Sequence, residues 1–423
     1  GLGVMGGLSP MIAQGQPNKK LTVAVMGLNG RGGVLCRGFA GASNCEVKYV
    51  ADPDEDTIPE RVEQIREIQG KAPKGIKDFR DALDDKDVDI LAIAAPDHWH
   101  TPASIMALQA GKHVYVEKPC GHNPREGELL IAAQKKYKKV VQMGNQQRSA
   151  LKSIQCMEDI DDGIIGDVYY ARAFYANDRG SIGNGKVASP PANLDWDLWQ
   201  GPAPRIEYRD NLVHYNWHWF WCWGTGESCN NGTHEIDVAR WALGVDFPKK
   251  VHSSGGRYHF DDDWEFYDTQ VLTFDFEGDK TIQWEGKSCN PFPVTGRGRG
   301  TTIHGTEGSI VIDRDGYIVY DMDNNEVKNV TGDSMSNAMD TAGGGDLTDM
   351  HIENFNNAIR ESVEPHSPIE EGHKSVLLCH LGNIAQEMGR QLNIDTLNGR
   401  ILDDKEAMKM WGREYEIGWE PKI

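Results

Sequence analysis

A glycine-rich turn near the start of the chain constrains the fold more than any other feature of the sequence. The hydrophobic run at residues 21–26 leads directly into Gly27-Leu-Asn-Gly-Arg-Gly32. A turn of this kind between a strand and a helix holds a dinucleotide pyrophosphate at the helix N-terminus. Gly27 suits the tight turn, Gly32 suits close packing of helix and strand, and Asn29 stands where a second glycine is usual. The pattern predicts a dinucleotide-binding βαβ unit.

Strand and helix patterns alternate from residue 21 to about residue 147, as expected for a parallel sheet. Two adjacent βαβ units of this kind make a Rossmann domain, and we assign residues 21–148 to an NAD-binding domain of that type. Strands are predicted at residues 21–27, 46–52, 89–96, 113–119 and 140–144, and helices at residues 32–39, 58–68, 101–110 and 124–135.

An acidic residue at the end of the second predicted strand indicates which dinucleotide binds. Asp52 lies about twenty residues beyond the glycine turn, where a carboxylate accepts hydrogen bonds from ribose hydroxyls. The same charge repels the 2′-phosphate of NADP, so the sequence favours NAD. Arg31 in the turn offers a partner for that phosphate, and NADP therefore stays open as an alternative cofactor.

The pattern changes after residue 148, and we assign residues 149–423 to a second α/β domain for substrate binding and oligomerisation. A long insertion rich in Gly, Pro and Trp occupies residues 177–226, and a connection of this length is usually functional. The alternating runs predict a large, mostly antiparallel, open sheet. Strands are predicted at residues 167–175, 268–276, 280–285 and 309–313, and helices at residues 152–161, 231–243, 346–360 and 370–389.

Charge and composition exclude several classes of partner. The 423 residues carry a formal net charge of −20, which disfavours nucleic acid and anionic membranes as partners. Residues 1–20 are assigned to a signal-like leader, because the small, apolar stretch 1–15 is too short to span a bilayer and is typical of the end of an export signal. A flexible leader without a targeting role is the alternative. The eight cysteines show no CxxC pair and no zinc-type spacing, so no metal site is predicted.

Polar residues that follow the predicted strands are candidate cofactor contacts. Pro96 and His100 follow one strand and Glu117 and Lys118 end the next, at the sheet edge where α/β folds bind their ligands. A partly desolvated lysine beside a nicotinamide should have a lowered pKa and could stabilise charge on a substrate oxygen. The complete set of predicted cofactor contacts is Gly27, Asn29, Gly30, Arg31, Gly32, Asp52, Pro96, His100, Glu117 and Lys118.

A second candidate catalytic group lies on the helix predicted at residues 231–243. His234 can accept a hydroxyl proton near neutral pH, and Asp237, one turn later, can orient the imidazole, although a lone histidine is more often structural. The aromatic residues of the insertion suit the C–H faces of a sugar, or they form a small hydrophobic cluster that holds the loop in place. Predicted substrate contacts are Arg148, Asn230, Asp237, Trp196, Trp219 and Tyr215.

From about residue 21 onward, the sequence resembles the family of glucose–fructose oxidoreductase, inositol dehydrogenase and the rhizopine-catabolism proteins. Glu117-Lys118-Pro119 matches the Glu-Lys-Pro of the family. Asn230-Asn-Gly-Thr-His234-Glu-Ile-Asp237 matches its Asp-x-Gly-x-His-x-x-Asp segment, with Asn230 in the place of aspartate. The resemblance implies a Rossmann domain followed by an open-sheet α/β domain, with Lys118 as the catalytic lysine. His234 then has to serve as the base, because an amide cannot.

The resemblance also implies an activity, namely an NAD-dependent oxidoreductase acting on a sugar, glycoside or cyclitol hydroxyl. Two alternatives stay open: a glycosidase that oxidises its substrate transiently, and a binding module without turnover. Residues 194–202 and 216–223 are similar to exported bacterial members of the family. That similarity implies a periplasmic location by the twin-arginine route with a tightly held NAD, with a cytoplasmic location as the alternative. A homo-oligomer, dimer or tetramer, is implied in the same way.

Overall fold

The computed structural model describes residues 19–331 and 345–423, with the side chains of residues 345 and 346 left out. The leader assigned to residues 1–20 therefore lies almost entirely outside the described residues. Within these ranges, no helix combines the length and the apolar character needed to cross a bilayer. The described chain forms two sheets with helices packed against them.

The first sheet is parallel, and its strand order is β3-β2-β1-β4-β5-β6 among the described residues. This is the order of a Rossmann fold, which binds ligands beyond the carboxyl ends of the strands where the order reverses, here between β1 and β4. The strands are β1 (Leu21–Met26), β2 (Cys45–Ala51), β3 (Lys74–Ile76), β4 (Ile90–Ile93), β5 (His113–Val116) and β6 (Val141–Met143). The helices are α1 (Arg31–Gly41), α2 (Ile58–Gln69), α3 (Arg80–Leu83), α4 (Asp97–Gln109) and α5 (Pro124–Tyr137).

The start of α4 differs from the sequence prediction, which placed it at residue 101. The helix begins at Asp97 and contains Pro102. Proline has no backbone N–H to donate to the carbonyl four residues earlier, which belongs to His98. Arg413, near the end of the chain, donates to that carbonyl oxygen at 2.6 Å instead. The distant arginine satisfies the carbonyl that the proline leaves without its helical donor.

The second sheet is mixed, with strand order β14-β13-β12-β11-β7-β10-β9-β8-β15 among the described residues. Strands β7 and β10 run parallel, and the other described pairs of this sheet are antiparallel. The predicted α/β fold class, with a mostly antiparallel second sheet, is confirmed. The strands are β7 (Val168–Ala176), β8 (Lys250–Gly256), β9 (Thr269–Asp275), β10 (Thr281–Lys287), β11 (Arg299–Gly305), β12 (Gly308–Ile312), β13 (Tyr317–Asp321), β14 (Glu326–Val330) and β15 (Leu392–Asn393).

Helices cover one face of this second sheet. The remaining helices are α6 (Leu151–Asp161), α7 (Trp196–Gln200), α8 (Gly226–Asn230), α9 (Gly232–Leu243), α10 (Gly345–Glu361) and α11 (Ile369–Met388). Side chains alternate along β9, where Leu272 and Phe274 are fully buried and their neighbours are half-buried. These two residues pack in one core with Ile236 of α9 and Leu381 of α11. The packing places α9 between the second sheet and the Rossmann domain.

The insertion, residues 177–226, folds around its own small aromatic core. Trp199, Tyr208, Phe220 and Trp223 are buried together, and Trp196 stacks on Trp199 with ring centroids 4.9 Å apart. This arrangement matches the alternative in which the aromatic residues form a satellite cluster. The cluster gives a long connection a fixed shape beside the Rossmann domain.

Helix α10 returns from the second domain to the Rossmann domain. Ile352 and Phe355 of α10 are fully buried in the core formed by α1 and the first sheet, which includes Phe39 and Tyr115. The Rossmann core therefore includes side chains from a helix that follows strand β14 of the second sheet in sequence. This contact holds the two domains against each other.

Candidate active site

A cavity of about 520 Å³ lies between the two domains, at the carboxyl ends of β1, β4 and β5. Its volume is in the range of about 300–1,000 Å³ that small-molecule and cofactor sites occupy. Twelve of the residues predicted from the sequence line it: Gly27, Asn29, Gly30, Arg31, Asp52, Pro96, His100, Glu117, Lys118, Tyr215, Asn230 and His234.

The glycine turn has the shape that a pyrophosphate needs. Gly27 has φ 82°, and a Cβ there would collide with the backbone of Ala94 and Ala95. A Cβ on Gly32 would collide with the Gly27 carbonyl oxygen, so Gly32 packs behind the turn rather than lining the cavity. A Cβ on Gly30 would meet nothing within 4 Å, which leaves open space at the start of α1. The residues present therefore fit a dinucleotide at this helix N-terminus.

Asp52 holds the backbone around the turn. Its carboxylate accepts the backbone N–H of Leu28 at 2.7 Å and that of Asp54 at 2.9 Å. Burial raises the pKa of Asp52, although these two hydrogen bonds lower it in part. The carboxylate fixes the ends of β1 and β2 together and lines the cavity between them.

Arg31 has other partners than a phosphate in this structure. Its Nε donates to Glu117 at 2.7 Å and one Nη donates to Thr348 at 3.0 Å. Gln146 also donates to Glu117, at 3.2 Å. The Arg31 side chain is therefore held beside Glu117, at the end of β5. One Nη of Arg31 is buried without a hydrogen-bond partner among the described residues.

His100 braces the cavity wall. Its two ring nitrogens lie against the carbonyl oxygens of Pro119 and Ala95, the latter at 2.7 Å. These carbonyls follow β5 and β4, so the ring fixes the two strand ends between which Lys118 emerges. Pro96 caps α4 in the same wall. Both ring nitrogens of His100 therefore contact backbone carbonyl oxygens of the protein.

Lys118 connects the two domains across the cavity. Its Nζ donates to the Asn230 Oδ1 at 3.0 Å. Burial lowers the pKa of Lys118, and the charges of Asp97, Glu117 and Glu227 raise it in part. The amine is therefore closer to neutrality than an exposed lysine.

His234 lies in the first turn of α9 and is 8% exposed. Burial lowers its pKa well below the ordinary value, and the nearby charges of Arg314, Lys118 and Arg299 lower it further. The imidazole is consequently neutral at pH 7 and can accept a proton. It lines the same cavity as Lys118, although the two side chains belong to different domains.

Arg148 and Asp237 do not line the cavity, so their predicted role in substrate contact is corrected. Arg148 makes a two-pronged ion pair with Asp237, at 2.8 and 2.9 Å. The Ser375 hydroxyl donates to the same carboxylate at 2.6 Å. Both side chains are buried, and the Arg148 guanidinium lies over the ring of Trp241. Asp237 lies one turn after His234 on α9, but Arg148 and Ser375 of α11 hold its carboxylate away from the imidazole.

Two of the predicted aromatic contacts also lie outside the cavity lining. Trp219 is 1% exposed and stacks on Trp264 with ring centroids 3.9 Å apart. Trp196 belongs to the aromatic core of the insertion. Tyr215 does line the cavity, and its hydroxyl accepts a hydrogen bond from Arg179 at 2.7 Å. The pattern of aromatic residues did not show which rings pack inward.

Several cavity residues were not predicted from the sequence. Asp97 and Arg179 line it, and so does His218, whose ring stacks on Trp217 at 3.6 Å. Burial raises the pKa of Asp97 and lowers that of His218 well below its ordinary value. The only sequence signal for Asp97 was its place between Pro96 and His100. Arg179 and His218 come from the insertion, whose course the sequence did not reveal.

The insertion is joined to the Rossmann domain at the end of β2. His214 Nε2 lies 2.6 Å from Asp54 Oδ2, and Asn193 donates to the other oxygen of Asp54 at 2.6 Å. Backbone hydrogen bonds run from Glu55 to Asn193 and from Asp195 to Pro53. His214, Leu198 and Trp199 thereby form the wall of the cavity beside Asp52.

Comparison with known proteins agrees with this geometry. The family model described as "Oxidoreductase family, NAD-binding Rossmann fold" matches residues 21–145, and its partner, "Oxidoreductase family, C-terminal alpha/beta domain", matches residues 178–394. A glycosyl hydrolase family 109 protein of Saccharopolyspora erythraea is 27% identical over 168 residues, which are 38% of this chain and 36% of that protein. A levoglucosan dehydrogenase of Pseudarthrobacter phenanthrenivorans is 28% identical over 169 residues, 40% of this chain and 36% of that protein.

The matched part of these curated relatives is thus little more than a third of their length. Among solved structures, a levoglucosan dehydrogenase in complex with NADH and levoglucosan has a TM-score of 0.67 and 20% identity. That similarity covers 88% of this chain and 99% of the other chain. It shows that the two proteins share their fold along almost their whole length.

Proposed function

Because this chain belongs to the Gfo/Idh/MocA oxidoreductase family, whose two domain models together match most of its length, we propose that it is an NAD-dependent oxidoreductase. Its substrate is a hydroxyl group of a sugar, glycoside or cyclitol. The proposal rests on one observation. Lys118 and His234 belong to different domains, yet both line the same cavity as the glycine turn.

Each of the two side chains has a role that follows from its surroundings. A neutral His234 accepts the proton of the substrate hydroxyl. The Lys118 ammonium donates a hydrogen bond to the same oxygen and stabilises the negative charge that develops there. When NAD is bound at the turn, its nicotinamide ring supplies the hydride acceptor.

A redox-assisted glycosidase is the second candidate function, and the attachment of the insertion at Asp54 favours it. Because these contacts fix a wall beside the dinucleotide cleft, we expect exchange of the cofactor to be slow. An enzyme that keeps its NAD through the cycle suits a reaction with no net redox change. In such a reaction transient oxidation permits elimination of the aglycone, water adds to the double bond that elimination leaves, and the NADH formed in the first step reduces the ketone again. The similarity to a family 109 glycosyl hydrolase supports the same candidate.

One experiment separates the candidates. The purified protein is incubated with a panel of monosaccharides, cyclitols and 4-nitrophenyl glycosides while NADH absorbance and nitrophenol release are followed together. NADH formation without nitrophenol supports the oxidoreductase, whereas nitrophenol without net NADH supports the glycosidase. Both candidate functions would be contradicted if the denatured protein released no nicotinamide nucleotide and if added NAD did not change the melting temperature.

Variants test the two side chains directly. Lys118→Ala and His234→Ala should each lower kcat by about 10²- to 10⁴-fold, the usual contribution of a positioned acid or base. NAD binding should be kept, because the turn and Asp52 are unchanged. His252→Ala is the control, since His252 lies on β8 and is half-exposed. A binding module without turnover would show neither activity nor any effect of these substitutions.

We also propose that the chain forms a homo-oligomer through the open face of the second sheet. Helices α9 and α11 cover one face, while side chains of the other face, such as Thr273 and Gln283, are only half-buried. Light scattering on a size-exclusion column tests this proposal. Export across the inner membrane in folded form, with NAD bound, remains a proposal that cell fractionation tests.

A further inference from the structure

The contact between Lys118 and Asn230 depends on which end of the amide faces the lysine. Lys118 Nζ can only donate, so the contact needs the carbonyl oxygen of Asn230, which lies 3.0 Å away. An amide presents an oxygen at one end and an NH₂ group at the other, in nearly the same shape. If the amide were reversed, two donors would face each other across the cavity. Some other group must therefore fix the orientation.

Glu227 is placed to fix it. Glu227 lies three residues before Asn230 on α8, and positions three apart on a helix are neighbours. Asn230 Nδ2 donates to Glu227 Oε1 at 3.2 Å. An ionised carboxylate only accepts, so it holds the NH₂ end of the amide and turns the oxygen toward Lys118. Glu227 is 3% exposed and does not line the cavity itself.

The position of Glu227 is in turn held from three sides. Arg179 of the insertion donates its Nε to Glu227 Oε2 at 2.7 Å, and the Ser288 hydroxyl donates to the same oxygen at 3.1 Å. The Asn231 amide donates to Oε1. These partners compensate the burial of the carboxylate, which would otherwise be costly. The network therefore runs from the insertion through Glu227 and Asn230 to Lys118.

We propose that Glu227 is a positioning residue for the reaction: by holding the NH₂ end of Asn230, it keeps the amide oxygen aimed at Lys118 and so places the amine in the cavity. The inference rests on the proposed role of Lys118. It adds a residue that touches neither substrate nor cofactor, and it explains how a neutral amide serves as the lysine's partner.

The charged and titratable groups around Lys118 decide what each substitution does to its pKa. Carboxylates raise the pKa and cations lower it, and the direct contact is with the uncharged Asn230. The surrounding groups, from both domains, are Asp97, Glu117, Glu227, Arg31, His218 and His234. Because Glu227 also acts through its charge, a variant that keeps the charge is needed to isolate the orientation.

Three variants make the test. Glu227→Asp keeps the charge beside Arg179 but withdraws the carboxylate from the Asn230 amide by one methylene. Glu227→Gln removes the charge and can hold either end of the amide. The double variant Glu227→Gln with Asn230→Asp restores an acceptor for Lys118. Both oxygens of the new carboxylate accept hydrogen bonds, so one can face Lys118 while the other takes a hydrogen bond from the NH₂ group of the new glutamine.

Two measurements are made on the NAD-loaded proteins. The first is kcat and KM across pH with the best substrate of the panel. The second is the pH dependence of Lys118 acetylation by acetic anhydride, followed by mass spectrometry, which requires no substrate. Both single variants should lower kcat by roughly 10- to 100-fold with little change in KM, as a misplacement of about 1 Å does. The double variant should recover most of that loss in kcat. It should also move the alkaline limb of the kcat–pH profile and the midpoint of Lys118 acetylation to higher pH.

Two controls keep the inference separate from the proposed function. Glu371→Gln breaks another glutamate–arginine pair, between the partly exposed Glu371 and the buried Arg240, away from the cavity, and should leave kcat unchanged. Full activity in Lys118→Ala would overturn the proposed function. If Lys118→Ala is inactive while Glu227→Asp keeps the wild-type kcat and acetylation profile, only the positioning role is overturned. Failure of the double variant to exceed Glu227→Gln would also overturn it, and if Glu227→Gln does not fold, Glu227→Asp decides alone.

Discussion

His214 Nε2 lies 2.6 Å from Asp54 Oδ2, and this contact joins the insertion to the end of β2 in the Rossmann domain. The Asp54 side chain is 7% exposed and that of His214 is 31% exposed. The pair lies next to Asp52, at the part of the cavity where a Rossmann fold binds the adenosine ribose. We therefore expect the insertion to affect how long a dinucleotide stays bound.

His214→Ala should release NAD faster than the wild type. Hydrogen bonds to charged groups contribute about 1.5–3 kcal/mol, and partial exposure of His214 reduces this, so we expect a release rate about tenfold higher. The rate is measured on rapid dilution, from the change in the protein's tryptophan fluorescence as bound NAD is lost. His252→Ala removes a more exposed histidine 4.0 Å from Asp275 and should leave the rate unchanged. Equal rates in wild type and His214→Ala would contradict the role of the contact.

Asp52→Asn should weaken the preference for NAD over NADP. The amide oxygen can still accept the Leu28 N–H that holds the turn, although the Asp54 N–H loses its acceptor, and the charge that repels a 2′-phosphate is removed. We expect the ratio of the two dissociation constants to fall by about tenfold, which corresponds to about 1.4 kcal/mol. Calorimetric titration of the cofactor-free protein measures both constants. Asp56→Asn removes the same charge from a nearby exposed position, and an equal effect there would refute the assignment.

Arg148→Met should destabilise the protein without acting on substrate binding. Removing one partner of a buried ion pair leaves the Asp237 charge uncompensated, which costs about 3–5 kcal/mol. The free energy of unfolding from urea titration measures the loss, and KM of the remaining folded enzyme should be unchanged. Arg66→Met breaks an exposed pair with Glu63 and should leave the free energy of unfolding almost unchanged. A raised KM with unchanged stability would restore the substrate role that the sequence suggested.

Stability should fall as the pH drops below about 6.5. Burial lowers the pKa of several histidines in the folded protein, so between that lowered value and about 6.5 the unfolded chain binds more protons. Their contribution is complete above pH 6.5 and is lost progressively toward acid, as the unfolded histidines take up protons that the buried ones do not. The histidines concerned include His98, His122, His218, His234, His351 and His373.

Urea unfolding between pH 5 and pH 7.5 checks this expectation, since most carboxylates titrate below that range. His218→Asn should reduce the slope by the share of one histidine. His380 has a raised pKa and acts in the opposite direction above pH 6.5. Stability that stays constant or rises toward pH 5 would contradict the prediction.

The Rossmann domain could be predicted because its signals are local. The strand before Gly27, the glycines of the turn and the acid after β2 follow one another within about thirty residues. The errors occurred where local signals conflict or are too short. Helix α4 begins at Asp97 rather than at residue 101, and a donor from Arg413 supplies the hydrogen bond that Pro102 removes. Strand β3 and helix α3 have three and four residues, too few to show a period.

The same distinction, between local sequence patterns and long-range packing, applies to the residues of the site. Lys118 and His234 could be named because each stands in a short pattern at the end of a strand or the start of a helix. Asp237 stood in the same pattern, yet its side chain pairs with Arg148 and Ser375. Arg179 and His218 had no local pattern, because the course of the insertion depends on its aromatic packing.

By itself, the order of residues determined the parallel dinucleotide sheet, the mostly antiparallel second sheet and the types of side chain at the strand ends, since hydrophobic period and turn chemistry act over neighbouring residues. Tertiary structure alone decided which of those side chains meet. Lys118 and Asn230 are more than a hundred positions apart, and their 3.0 Å contact exists only because helix α8 of the second domain packs against the end of β5. Long-range packing, which no short window of sequence contains, selected the members of the site.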